Sequence, residues 1–247
     1  METKKEEDHI ILPDVSLCAI VRDEKMNPAG GIERFVESHV PFVDEAVIVD
    51  TGSLDGTREI LEELEGKYKN LKIYDHKFAG FADARNFSLE KAKTEYALIL
   101  DADELITHEK PRNEWKVINN VLNESYQYKF YRFDFKHVDP SGEYVSSPTH
   151  YVRLMKKELG KFEGCLFEYL EDEPQCDLFG MQIFHFLPKD EARAVKRSNF
   201  YFKLGSVSTS GAAAHFNEEI IEKNIAPLQV EGFSEWKSYN PQRDFYE

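Results

Sequence analysis

Asp101-Ala102-Asp103 places two carboxylates two residues apart, directly after the apolar run Tyr96-Ala-Leu-Ile-Leu100. Two such side chains at the end of a buried strand can offer oxygen ligands to one hard cation, Mg²⁺ or Mn²⁺. A cation there would bridge the two phosphates of a nucleotide and neutralise a leaving diphosphate. The alternative is a solvated acidic turn capping the next helix, and a D-x-D triplet is common by chance in an acidic chain. Its place at the end of a strand favours the site reading.

Two further segments carry polar groups suited to a nucleotide. In Asp50-Thr-Gly-Ser-Leu-Asp-Gly-Thr57 an acid ends an apolar run and small residues follow, so that backbone can approach a ribose or base. The competing reading is an ordinary strand-to-helix turn capped by Asp55. In Ala79-Gly-Phe-Ala-Asp-Ala-Arg-Asn86, Arg85 and Asn86 stand near a helix start, the arginine suited to phosphate and the asparagine to base or ribose. The competing reading there is a surface arginine paired with Glu45 or Asp83.

The elements that must position these groups alternate at short spacing. Val15–Val21 is an apolar run of buried-strand type, and Ile32, Phe35, Val36 and Val40 mark the inner face of a helix after Gly30-Gly31. Glu45–Asp50 predicts a second strand. A helix with Ile60, Leu61 and Leu64 inward follows, with Asp55 or Thr57 as its cap. Leu71–Tyr74 and Tyr96–Leu100 predict two more strands, separated by a helix over Phe81–Lys93. This alternation predicts an α/β fold with a mostly parallel sheet and helices on both faces. Ligands of such sheets bind beyond the carboxyl ends of the strands, where Asp50, Asp101 and Asp103 fall. The second half differs. A helix around Trp115–Val121 precedes an aromatic-rich hairpin, Tyr126–Val138 and Tyr144–Met155, turning at Pro140-Ser-Gly142. Gln182–Leu187 predicts another strand, and helices are expected from Pro188 to about Leu204 and over His215–Ile225. Residues 1–14 read as a charged arm, 15–204 as the main domain in two halves divided near 104, and 205–247 as a helical and irregular extension.

The chain has 247 residues, a net charge of -15 and 41% hydrophobic residues, so it has a core to bury and a surface ill suited to nucleic acid. Three cysteines without a C-x-x-C pair give no disulfide or zinc framework, and the charged Met1–Ile10 stretch has no apolar signal segment. No apolar run reaches the roughly 18 residues of a membrane span. The expected setting is the cytoplasm, with peripheral contact at the inner membrane face left open.

Taken in order, Val-Arg-Asp-Glu24, Val-Asp-Thr-Gly-Ser-Leu-Asp-Gly-Thr57, Gly-Phe-Ala-Asp-Ala-Arg-Asn86 and Leu-Ile-Leu-Asp-Ala-Asp-Glu104 resemble glycosyltransferase family 2, whose fold is the Rossmann-like GT-A type. The likeness covers about Val15 to Glu104 and thins beyond. Phe162-Glu-Gly-Cys-Leu-Phe-Glu168 stands where members carry a Val-His-Glu segment, keeping the Glu and placing Phe167 at the His, and Ile183-Phe-His185-Phe matches a strand-borne His.

The resemblance implies transfer of a sugar from a nucleotide-diphosphate sugar, a UDP-sugar first, to an acceptor hydroxyl, with a metal and with inversion. It implies that Val21, Arg22, Glu24 and Asp50 border the base or ribose, and that Asp83, Arg85, Asn86, Asp101 and Ala102 line the nucleotide. Asp101, Asp103 and His185 would meet Mg²⁺ or Mn²⁺. A lone His in an apolar strand is otherwise more often simply packed. An inverting transferase also needs a base opposite the leaving diphosphate, and Glu168 is the first choice, ahead of Glu171 and Asp172. The acceptor, whether glycan, lipid-linked sugar or protein, is not legible. Two other readings stand beside this one: a nucleotidyltransferase of similar fold, for which Arg22–Gly31 is too acidic, and a non-catalytic nucleotide-sugar binder.

Overall fold

The computed structural model describes residues 12–107, 113–124, 129–138, 144–164, 169–170 and 178–187. The predicted helices from Pro188 to Leu204 and over His215–Ile225 lie outside these residues, as do Glu168, Glu171, Asp172, residues 1–11 and the extension from 205.

Strands β1 (Leu12–Val21), β2 (Val43–Asp50), β3 (Leu71–Asp75) and β4 (Tyr96–Ile99) alternate with helices α1 (Ile32–His39), α2 (Thr57–Lys67) and α3 (Phe81–Lys91). All three pairings among these strands, β1 with β2, β1 with β4 and β2 with β3, are parallel. The chain continues through β5 (Glu104–Leu105), α4 (Glu114–Glu124), β6 (Phe130–Val138), β7 (Tyr144–Lys156), β8 (Phe162–Glu163), β9 (Tyr169–Leu170) and β10 (Leu178–Phe186). The main sheet runs β3-β2-β1-β4-β7-β6-β10-β5, and β8 with β9 forms a separate ribbon. β7 joins both β4 and β6 antiparallel, β10 runs parallel to β6, and β5 pairs antiparallel with β10.

Alternation along the strands divides the core into two layers. Val15, Leu17, Ala19, Ala46 and Ile48 point to the face covered by Ile32 and Phe35 of α1, Leu61 of α2, and Trp115 and Ile118 of α4. Cys18, Val47, Val49, Ala97 and Ile99 point to the other face, against Ala82 and Leu89 of α3 and Phe162 and Leu170 of the ribbon. Strands buried on both faces read as continuous apolar runs, which is why β1, β2 and β4 were recognisable, whereas the edge strand β3 buries only Leu71 fully. The expected α/β architecture with helices on both faces is present. β5 and the ribbon were not foreseen, because pairs of two residues leave no periodicity to read.

α2 starts after Gly56, whose φ of 98° suits glycine. Gly56 is therefore the N-cap and no side chain caps the helix, so neither Asp55 nor Thr57 takes the capping role expected; the Asp55 Oδ1 atom instead accepts from the Thr57 N–H (2.9 Å) and hydroxyl (2.6 Å) within the turn.

Candidate active site

Two loops at the carboxyl ends of β1 and β2 are stitched together. The Thr51 N–H and hydroxyl donate to the Val21 carbonyl (2.9 and 3.0 Å), and Arg22 Nη1 donates to the Thr51 carbonyl at 2.7 Å. The Asp23 N–H reaches the Ser53 hydroxyl (3.0 Å), the Leu54 N–H reaches Asp23 Oδ1 (2.7 Å), and the Glu24 N–H reaches the Thr57 hydroxyl (2.8 Å). Asp23 is buried with φ 54°, a left-handed conformation uncommon outside glycine. Burial raises its carboxyl pKa, opposed by the Leu54 N–H.

Asp50, the last residue of β2, holds the second of these loops. Its Oδ1 accepts from the Gly52 and Ser53 N–H groups, both at 2.7 Å, which fixes the loop. Its Oδ2 is buried and has no hydrogen-bond partner. A buried carboxylate oxygen left unpaired is costly in a finished core and suits one that awaits a ligand donor. The Arg22 Nε beside it is likewise buried without a hydrogen-bond partner. Gly52 has φ 106°, and a Cβ there would lie 3.3 Å from Arg22 Nη1, so the close approach needs glycine.

Beyond β4 the acidic turn is held from four sides. The Asp101 N–H donates to Glu104 Oε2 (3.0 Å) and the Glu104 N–H returns to the Asp101 carbonyl (3.0 Å). Arg85 Nη2 donates to Asp101 Oδ1, and Arg153 Nη2, from β7, donates to Asp101 Oδ2 at 3.1 Å and to Glu104 Oε1. The Ala102 carbonyl accepts from Asn27 Nδ2 at 2.8 Å. Asn27 Oδ1 in turn accepts from the Ala29 (2.9 Å) and Gly31 (3.0 Å) N–H groups.

Charge settles unequally among these groups. Burial works to raise the Asp101 carboxyl, but the Arg85 and Arg153 guanidiniums outweigh it and hold it well below the usual carboxylate range. Glu104 is almost fully buried, and burial pushes it up to about 7 despite Arg153.

Asp103 turns to the opposite side of the turn. Its Oδ2 lies 3.6 Å from His185 Nε2, and the Phe186 N–H donates to its carbonyl at 2.9 Å. His185 Nδ1 lies 2.9 Å from His137 Nδ1, the rings meeting edge to face. Burial works to lower the His185 pKa, but Asp103, Glu104 and Asp101 outweigh it and raise the value. His137 is lowered by burial and by the neighbouring His185 charge.

The structure thus brings Asp101, Ala102, Asp103 and His185 together at one end of the sheet, with Arg85 beneath Asp101. Val21 and Asp50 end β1 and β2, and Arg22 and Glu24 follow in the adjoining loop. Arg85 is buried and bound to Asp101, not paired at the surface with Glu45 or Asp83. Asp83 is exposed and lies 2.6 Å from His76 Nε2. Asn86 grips β8: its Oδ1 accepts from the Phe162 N–H and its Nδ2 donates to the Phe162 carbonyl, both at 2.9 Å. Sequence reasoning missed Asn27, Glu104, His137 and Arg153. For Arg153 a signal was present: a cation inside Tyr-Val-Arg-Leu-Met, a strand otherwise apolar, needs a buried partner.

Among the described residues no three His, Cys, Asp or Glu side chains form a metal site by themselves. Both Asp101 oxygens are engaged by arginines, while Asp103 and His185 face each other across 3.6 Å as a carboxylate–imidazole pair. That pair fits a cation that takes its remaining oxygens from phosphate and water.

Parallel β1 to β4, the mixed second half and an acidic turn beyond β4 together define a GT-A glycosyltransferase domain. A model of "Glycosyl transferase family 2" matches residues 26–153, and the chain belongs to that family. The TarS 1–349 structure from S. aureus, in complex with UDP-GlcNAc, shares the fold with a TM-score of 0.50 at 17% identity, over 86% of this chain and 70% of that one. A TPR repeat-containing protein of Synechococcus elongatus is 39% identical over 93 residues, 38% of this chain and 21% of that protein. The cholesterol galactosyltransferase of Borreliella burgdorferi is 36% identical over 62 residues (25% and 17%). The putative teichuronic acid biosynthesis glycosyltransferase TuaG of Bacillus subtilis is 41% identical over 61 residues (24% and 24%). The matches thus span about a quarter or less of each curated relative. Among the described residues no helix is long and apolar enough to cross a membrane.

Proposed function

We propose that this chain transfers a sugar from a nucleotide-diphosphate sugar, a UDP-sugar first, to an acceptor hydroxyl with inversion at the anomeric carbon. The observation that carries this reading is the Asp103–His185 pair, 3.6 Å apart at the carboxyl end of the sheet, beside an Asp101 fixed by two arginines. The unpaired Asp50 Oδ2 supports the same reading, since it offers an acceptor for an N–H or O–H of base or ribose. A UDP-GlcNAc complex of a protein of the same fold points to the same donor class.

Asp103 and His185 would hold Mg²⁺ or Mn²⁺, which when bound supplies positive charge to the leaving diphosphate. Asp101 serves as a fixed acceptor at the edge of the nucleotide pocket. Its charge is secured by Arg85 and Arg153, so it needs no proton at working pH. The acceptor oxygen attacks the anomeric carbon, the bond from that carbon to the β-phosphate oxygen breaks, and the hydroxyl proton passes to a carboxylate. Glu168 is the proposed base. It lies outside the described residues, immediately before β9, whose partner β8 is anchored to α3 by Asn86.

Release of nucleoside diphosphate from a panel of nucleotide sugars, with Mn²⁺, Mg²⁺ or chelator, tests the reading. The expected result is turnover of a UDP-sugar that chelator abolishes; metal-indifferent turnover would remove the metal from it. Glu168→Gln is expected to keep UDP binding and lose transfer by at least about a hundredfold. Transfer at a near-normal rate would put the base elsewhere, and NMR of the product anomer separates inversion from retention.

A further inference from the structure

We infer that His137 is a positioning residue that holds His185 in the tautomer able to bind the metal. The inference rests on the reading of Asp103 and His185 as metal ligands. β6 and β10 run parallel with His137 and His185 as direct partners, so both imidazoles rise from the same face. Their Nδ1 atoms are 2.9 Å apart and the rings cross at 72°, an edge-on approach suited to a nitrogen–nitrogen hydrogen bond. Phe135 neighbours both rings, with centroids 6.2 and 6.3 Å away.

One Nδ1 must donate and the other accept. If His137 donates, a neutral His185 carries its own proton on Nε2, the atom that faces Asp103, and has no lone pair there for a cation. If His137 accepts, a neutral His185 is protonated on Nδ1 and its Nε2 lone pair faces Asp103. Only the second arrangement makes Asp103 and His185 a ligand pair. Metal-binding histidines commonly give their other ring N–H to a fixed acceptor, and losing that acceptor costs about 10–100-fold in metal affinity. Here the acceptor is a second imidazole delivered by strand register.

The probe is Mn²⁺ binding in the presence of UDP, followed by the loss of the free-ion EPR signal. His137→Phe is expected to weaken Mn²⁺ about 10–100-fold while UDP binding in chelator stays unchanged. His137→Gln, whose amide oxygen can accept, is expected to recover part of the loss. His185→Ala separates the two levels. Mn²⁺ binding unaffected by His185→Ala would overturn the metal reading itself. Binding lost in His185→Ala but within twofold of wild type in His137→Phe would overturn only the role of His137. The wild-type protein gives a check that needs no variant: ¹⁵N–¹H correlation of the imidazoles in the Mg²⁺–UDP complex should show His185 protonated on Nδ1. Protonation on Nε2 would overturn the inference.

Discussion

In the parallel half of the sheet the polar groups of the candidate site stand at or beyond strand ends: Asp50 closes β2, and Asp101 and Asp103 follow β4. In the mixed half they stand within strands: His137 in β6, Arg153 in β7 and His185 in β10. The first arrangement keeps each acid beside loop N–H groups supplied by its own neighbours, as the Gly52 and Ser53 donors to Asp50 show. The second depends on register. Arg153 meets Asp101 because β7 lies against β4, and His137 meets His185 because β6 lies against β10. A site built across both halves has one locally specified side and one distantly specified side that clamps it.

The largest effect is expected at Arg153. Its guanidinium is 15% exposed and serves two acids, and it lies 5.2 Å from the Phe135 ring centroid. Above about pH 7, where Glu104 is charged, Arg153→Met strips it of its cation, a loss of up to about 3–5 kcal/mol in chemical denaturation that shrinks at lower pH as Glu104 takes up a proton. Arg153→Met with Glu104→Gln removes both charges and should recover a large part of it. A single variant as stable as wild type would mean that the clamp between the halves contributes nothing.

Next is Asp103→Asn, which should abolish the gain in UDP affinity given by Mn²⁺ in calorimetry. Its carbonyl stays bonded to Phe186, but the change removes the charge that holds up the His185 pKa, so the denaturation midpoint should fall only at pH values where His185 is protonated. Equal Mn²⁺ enhancement in variant and wild type would remove Asp103 from the site.

A smaller effect is expected at Asp50. Alanine would strip two loop N–H groups of their acceptor, mixing a folding defect with a binding one. Asp50→Asn keeps an oxygen for Gly52 and Ser53 and replaces Oδ2 by a donor. A hydrogen bond to a charged acceptor is worth about 1.5–3 kcal/mol, so UDP affinity should fall roughly tenfold to a hundredfold with the melting temperature little changed. Unaltered affinity would make Asp50 a turn residue only.

These contrasts also explain what was legible in the sequence. Val15–Val21, Glu45–Asp50 and Tyr96–Leu100 announced buried strands because both faces are covered, and the acids after them could be placed without knowing any pairing. Phe81–Lys93 read as a helix, but the target of Arg85 did not follow: its distance from Asp101 is a matter of how α3 lies on the sheet. Asn86 carries a nucleotide-like motif and is spent on the β8 backbone, which no local pattern reports. Glu104 looked like one more acid in an exposed turn. Its burial follows from pairing with β10, from which the sequence neighbourhood of residue 104 is far removed.

The smallest expected signal concerns Cys18, which asks whether the two halves open together. The thiol is fully buried between β1 and α3, with the Ser88 carbonyl 3.9 Å away, and burial pushes its pKa from 9.0 up to about 12. A thiol held protonated reacts only through the rare thiolate or after the sheet opens, so alkylation at pH 8 should run more than a hundredfold slower than for free cysteine. The direction with pH follows from the raised value. The protonated folded state keeps its full advantage below about pH 9 and loses it as the pH climbs towards 12, so labelling should accelerate over that interval. Mass spectrometry of the Cys18 peptide measures the rate directly. Arg153→Met then gives the comparison its finest test. If the halves form one cooperative sheet, weakening the clamp at β7 should speed Cys18 labelling in proportion to the lost stability. If β1 to β4 hold alone, Cys18 should stay as protected as in wild type while the second half loosens. β4 is the shared strand, bonded to β1 on one side and β7 on the other, and only four residues long. The strand junction is backed by one apolar cluster that runs from Val15 and Leu17 to Tyr131, Phe133, Leu154 and Ile183. A loss at Arg153 has a second route as well, through the Asp101 turn and Arg85 to α3, the helix that covers Cys18.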